Sequence, residues 1–252
     1  MMRLGVIARQ LSVSTTAATE EVLNFSGSFD VSKLPKSPLD ALRKRSEAKG
    51  LCDAIGNRKK GAPWGFQLAH TSSHSPWPVI RTIGFQTVTA DYFTFLMKRR
   101  PEGVPSSGLP IAITYVEGKY QAGDITEQWR AEGLAEEIPV GDVLTTAPMS
   151  SFAQIMVAAG WKSGDSTADT SSRSILADRH EFVRLTDDAK SKLNAGQVPA
   201  DSLASSVVVY KVRPIRGELL IGGPDFPMWE RIEWRRQCAD SEWEGPTRIL
   251  PY

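Results

Sequence analysis

Two of the chain's three histidines, His70 and His74, stand four residues apart in Leu68-Ala-His-Thr-Ser-Ser-His-Ser-Pro-Trp77. That spacing would suit two metal ligands on one helix face, but no third ligand follows and the segment does not read as helical. Histidine titrates near neutrality, so the chemistry the pair offers is general acid or base catalysis; the plainer reading is a pair of hydrogen-bonded loop histidines. A second candidate set is Asp91, Glu117 and Lys119. An aspartate and a glutamate can share Mg²⁺ while a lysine orients the attacking water, although Glu-x-Lys also arises by chance. Arg213 to Pro224 joins a strand to a glycine turn through Arg213 and Arg216. Paired arginines can grip phosphate, or simply face solvent on a hairpin. No helix follows, which disfavours a dinucleotide-binding or P-loop motif. There is no Gly-x-Ser-x-Gly, and neither Cys52 nor Cys238 has a histidine nearby in sequence, so a serine or cysteine hydrolase finds no nucleophile.

The charges that would surround such groups are unevenly placed. Between Lys33 and Lys60 there are nine basic residues against three acidic ones, and Arg43, Lys44, Arg45, Lys49, Arg58, Lys59 and Lys60 form its dense part. Between Glu117 and Asp142 the sign reverses, with seven acids against Lys119 and Arg130. Arg231, Arg235 and Arg236 make a third cluster beside Trp229 and Trp234. A basic pole with interleaved aromatics is the footprint of phosphate-backbone binding, where the tryptophans would stack on unpaired bases; a solvated helix and packed core tryptophans are the plain alternatives.

The elements that must position these residues follow from periodicity. Ser37-Pro38-Leu39-Asp40 is a helix start, with Gly56 as the stop. Leu39 and Leu42 fall on one side of that helix and Leu51 and Ile55 on the other, which reads as a projecting basic finger bent near Gly50. Strands are predicted over 3–13, 79–89, 111–120, 206–213, 218–221 and 229–235, and an irregular loop over 61–78. Helices are predicted over 19–25, 124–137 and 149–159, with a shorter one capped by Thr186 and ending near Gly196. The segment 92–100 fits either a strand or a short helix. This mixed order argues for α+β with an antiparallel sheet.

The chain has 252 residues, with 30 lysines and arginines balanced by 29 acids and 41% hydrophobic residues. That excludes a histone-like coat and an acidic disordered chain, and it suffices for a packed core. Apolar stretches fall short of a membrane span, Arg9 interrupts any signal-peptide core, and two cysteines make no disulfide framework. A cytoplasmic protein with no membrane association is expected.

The opening strand, basic helical insertion, mixed body and late strand with an arginine-flanked glycine turn together resemble the CRISPR-associated RNA-processing endoribonucleases of the RAMP superfamily. The finger-bearing type IV members look closest. The resemblance lies in layout, and Arg213 to Pro224 departs from the fuller glycine-rich loop of many members. It implies a ferredoxin-like (RRM-like) antiparallel core over residues 1–252, a basic helical finger over 37–60 and C-terminal strands with a glycine turn over 200–252. It implies metal-independent cleavage of a structured hairpin RNA, without cofactor, and retention of the product. His70 or His74 would then move protons, and Arg43, Lys44, Arg45, Lys49, Arg58, Lys59, Lys60, Arg213, Arg216, Arg235 and Arg236 would bind the RNA. Two alternatives accompany it. One is a Mg²⁺-dependent DNA nuclease of the PD-(D/E)xK type on Asp91, Glu117 and Lys119. The other is a non-catalytic RNA-binding subunit of a ribonucleoprotein, whose acidic segment docks other subunits.

Overall fold

The computed structural model describes residues 30–72, 75–99, 108–117, 126–144, 147–161, 179–223 and 226–249. Among the described residues eight strands form one antiparallel sheet: β1 (Gly65–Ser72), β2 (Ser75–Val88), β3 (Phe93–Lys98), β4 (Leu109–Glu117), β5 (Thr126–Ile138), β6 (Val207–Gly223), β7 (Phe226–Arg235) and β8 (Glu244–Ile249). Their order is β3-β2-β1-β4-β5-β6-β7-β8, with β3 also paired to β6. The first six strands therefore close into a barrel. This corrects the open ferredoxin-like sheet expected from the sequence.

Strand β6 makes the closure possible. Its first half, Val207 to Val212, pairs with β3, and its second half, from Arg216, pairs with β7. Pro214 falls between the two halves. It has no N–H to donate, and the facing strand carries a register shift at Glu132/Gly133. A Cβ on Gly133 would lie 2.9 Å from both Arg213 O and Pro214 Cα, so a residue without a side chain lets the strands close there.

The barrel interior is filled by rings. Phe66 and Phe85 are 4.2 Å apart between centroids, Phe85 and Phe93 5.5 Å, and Phe95 and Tyr210 5.2 Å. Burying each such ring contributes about 2–3 kcal/mol. On the opposite face of β3 and β6, Leu96, Val207 and Val209 are also buried. They pack with Phe152 and Met156 of α2 (Met149–Ala158) and Leu203 of α4 (Ala200–Ser206), while α3 (Arg179–Asn194) adds Leu185 and Ala189 against Ala153 and Val157 of α2. Both faces of β3 are thus covered, which explains why Phe93 to Met97 are buried without a break.

The basic segment is a docked helix rather than a finger. α1 (Pro38–Ala48) has the predicted cap: the Ser37 side chain accepts from Asp40 N, and Pro38 opens the helix. Leu39, Ala41 and Leu42 are at most 3% exposed and belong to the main core with Trp64 and Phe66. The helix ends at Ala48, before Gly50 at φ +72°, and Gly56 serves another purpose. At φ +92°, Gly56 lies so close to β2 that a Cβ would sit 1.7 Å from Val88 O.

Two stretches depart from their predicted state. Residues 124–137 read as helix because Glu, Ala, Gln and Leu favour it, yet β5 occupies 126–138 and buries Glu127, Trp129 and Ala131 at a period of two. Residues 61–78 read as loop, yet β1 and the start of β2 lie there, with Phe66, Leu68 and His70 facing inward. The predicted strand over 3–13 and helix over 19–25 lie outside the described residues.

Candidate functional site

The basic groups of α1 are already matched by carboxylates. Arg43 Nη2 is 2.7 Å from Asp40 and its Nη1 is 3.3 Å from Glu47; Lys44 Nζ is 3.0 Å from Asp40. Arg45 Nη2 lies 2.5 Å, and Lys49 Nζ 3.6 Å, from Glu127, whose side chain is only 2% exposed. Arg58 donates through Nε and Nη2 to Ala62 O at 2.9 and 2.6 Å, while Lys59 and Lys60 are exposed. Arg216 and Arg235 lie on the other face of β5–β7. There Arg216 joins Glu132, Glu218 and Glu233, and Arg235 Nε lies 2.6 Å from Glu233. Burial pushes the Glu233 carboxyl up, but hydrogen bonds from Arg235 and Arg216 outweigh it and hold the group below its ordinary value.

His70 lies on β1 at 3% exposure, opposite Val79 and Ile111, with Nδ1 2.8 Å from Thr71 O. His74, Lys119 and the side chain of Glu117 lie outside the described residues. Among the described residues no group of three His, Cys, Asp or Glu could hold a metal ion. Cys52 is buried, which pushes its thiol up to about 12. Trp64 and Trp234 are fully buried, while Trp77 and Trp229 are exposed.

Arg213 and Arg236 do meet at a common site. A cavity of about 880 Å³ opens where the β7–β8 loop folds back toward β6, the start of α1 and the β2–β3 turn. Strand β6 contributes Lys211 and Arg213, whose alternation puts them on the face of Val207 and Val209, outside the barrel. Lys36 reaches the wall from just before α1, and Asp91 and Tyr92 come from the turn. Asp240, Glu242 and Trp243 come from the loop.

The wall is held by cation–aromatic pairs. Lys211 Nζ lies 4.4 Å from the Tyr92 ring centroid and Arg236 Cζ 4.5 Å from that of Trp243. Arg236 is 8% exposed and donates from Nε to Pro214 O at 2.6 Å. Its Nη2 has no hydrogen-bond acceptor, and neither does Trp243 Nε1. Burial, followed by the nearby Arg213 charge, lowers the Arg236 pKa, and Asp91 and Asp240 act against that. Arg213 Nη1 is 2.5 Å from Asp240. The site therefore brings together four cationic side chains, among them a buried guanidinium whose Nη2 has no acceptor, with three carboxylates and two aromatic rings.

The sequence singled out Arg213 and Arg236 as phosphate-binding residues, and it passed over Lys36, Lys211, Tyr92 and Asp240. Lys211 was legible in principle, since it alternates with Arg213 along the strongest strand in the chain. The approach of 36–37, 91–92 and 239–243 depends on barrel closure, which no local pattern encodes.

No protein-family model and no curated protein matches the chain. Solved structures do resemble it. A pyridoxamine 5′-phosphate oxidase-related, FMN-binding protein from Nostoc punctiforme is 16% identical with a TM-score of 0.44, over 74% of this chain and 88% of that one. A protein related to general stress protein 26, of the pyridoxinephosphate oxidase family, from Clostridium acetobutylicum is 10% identical with a TM-score of 0.34, over 68% and 84%. A NimC/NimA family protein from the same organism is 12% identical with a TM-score of 0.33, over 77% and 94%. These are not CRISPR RNA-processing proteins. The closed barrel and the docked α1 correct the resemblance drawn from the sequence, and with it the expected RNA cleavage, the RNA-binding subunit and the Mg²⁺-dependent DNA nuclease. Among the described residues no helix is long and apolar enough to cross a membrane.

Proposed function

We propose that the protein binds a phosphorylated small molecule with a planar ring system, flavin mononucleotide being the ligand of that kind to test first. The observation that carries this is Arg236. It is a nearly buried guanidinium in the wall of an 880 Å³ cavity, stacked on Trp243, with its Nη2 left without an acceptor. A cavity of that size suits a cofactor-sized ligand. An unmade hydrogen bond of this kind costs about 1–3 kcal/mol, and a phosphate oxygen would recover it through a charge-assisted bond. Lys36, Lys211 and Arg213 add positive charge around the same space.

Flavin mononucleotide, which the Nostoc protein is described as binding, combines a terminal phosphate with a flat ring system. Arg236 and Arg213 would hold the phosphate, and Tyr92 and Trp243 offer aromatic surface to the ring. When bound, the flavin would supply redox chemistry, and this chain would supply its orientation. The unpaired Cys52 and Cys238 suit a reducing, cytoplasmic setting.

The test is a titration of flavin mononucleotide followed by its fluorescence, with wild type and Arg236→Leu, beside a melt of each. Saturable quenching by wild type and a loss of affinity of about tenfold or more in the variant are expected, the size of one charge-assisted hydrogen bond. Absence of saturable binding to wild type refutes the reading.

A further inference from the structure

The two arginines of the cavity are in different states. Arg236 is fixed by its bond to Pro214 O and its stack on Trp243, and its Nη2 has no hydrogen-bond acceptor. Arg213 already holds an anion: its Nη1 lies 2.5 Å from Asp240, with side chains 37% and 80% exposed respectively. We propose that Asp240 is a built-in competitor for the ligand's phosphate, occupying Arg213 until the phosphate displaces it. The proposal rests on the phosphate-binding reading of this cavity.

Competition follows from chemistry and geometry together. Carboxylate and phosphate use the same guanidinium N–H groups, so one arginine edge serves one of them at a time. An ion pair as exposed as this one is screened by water and readily exchanged. Asp240 is also free to leave without dismantling its loop. The turn around it is held by Cys238 N donating to Ser241 Oγ at 3.0 Å and Ser241 N donating to Cys238 O at 3.2 Å, and neither bond uses the Asp240 carboxylate. Asp91 and Glu242, also on the wall, add to the negative charge a phosphate must face.

The experiment compares wild type with Asp240→Asn, which keeps the shape of the side chain and removes its charge. Flavin mononucleotide and riboflavin, which lacks the phosphate, are titrated into each by calorimetry. Asp240→Asn should bind flavin mononucleotide roughly two- to fivefold more tightly, the effect of removing one exposed ion-pair competitor. Riboflavin affinity should stay the same. Unchanged affinity for flavin mononucleotide overturns the proposal. An equal gain for riboflavin also overturns it, because the loop would then act as a steric cover and not as a charge. If neither protein binds flavin mononucleotide, the underlying reading of the cavity fails and takes the competitor with it.

Discussion

Replacing Arg45 by alanine separates a docked α1 from a projecting one. Arg45 Nη2 lies 2.5 Å from Glu127, whose side chain is 2% exposed, and Nε donates to the same carboxylate at 2.7 Å. Removing the arginine leaves Glu127 with Lys49 at 3.6 Å and Trp129 Nε1 at 3.4 Å. Breaking a fully buried pair costs about 3–5 kcal/mol. Here Arg45 and Lys49 are about a quarter exposed, and solvent and the remaining lysine recover part of the loss, so about 2 kcal/mol is expected. For a chain of this length that lowers Tm by roughly 4–8 °C. Lys44→Ala, which loses only an exposed pair with Asp40, should stay within about 0.5 kcal/mol of wild type. Thermal melts and urea titrations of both variants read this directly. If Arg45→Ala melts with Lys44→Ala, the buried pair does not anchor the helix and the account of the basic segment is wrong.

Two further outcomes follow from the packing. Gly56→Ala should cost about 2–4 kcal/mol, because its φ of +92° is strained for alanine and the new Cβ would lie 1.7 Å from the Val88 carbonyl. Gly50→Ala, at φ +72° with nothing within 4 Å, should cost about 1 kcal/mol, so equal urea midpoints for the two would contradict the close approach. The second outcome concerns acid. Glu233 has a folded pKa held below its ordinary 4.5, so its contribution to stability is present above 4.5 and is lost as pH falls through the folded value. Urea midpoints should therefore drop with acid in wild type and less steeply in Glu233→Gln. Parallel profiles for the two proteins would rule the linkage out.

The sequence shows an element where the local pattern and the tertiary demand agree. The helix over 149–158, the cap at Ser37 and the strands at 79–88 and 207–213 follow from periodicity and capping chemistry. β5 was hidden because its residues favour helix, and its period of two includes a buried glutamate, Glu127, that makes sense only once Arg45 arrives from α1. The α3 helix was underestimated because Thr186 reads as a cap. It is interior to the helix instead, its hydroxyl donating to Phe182 O at 2.8 Å. Charge was the least reliable guide. Nine basic residues against three acids over 33–60 suggest a nucleic-acid surface, but a sequence does not show which carboxylates the fold places against the cations. Of the arginines the sequence singled out, Arg213 on β6 and Arg236 just beyond β7 come together on the wall of one cavity, and barrel closure brings them there.

The most direct test of the account is whether the cavity recognises phosphate. Calorimetric titration of wild type with flavin mononucleotide and with riboflavin, at low and moderate salt, isolates that group. Saturable binding of flavin mononucleotide is predicted, with affinity that weakens as salt rises and exceeds that of riboflavin by at least about tenfold. Equal affinities for the two flavins, unaffected by salt, would contradict it.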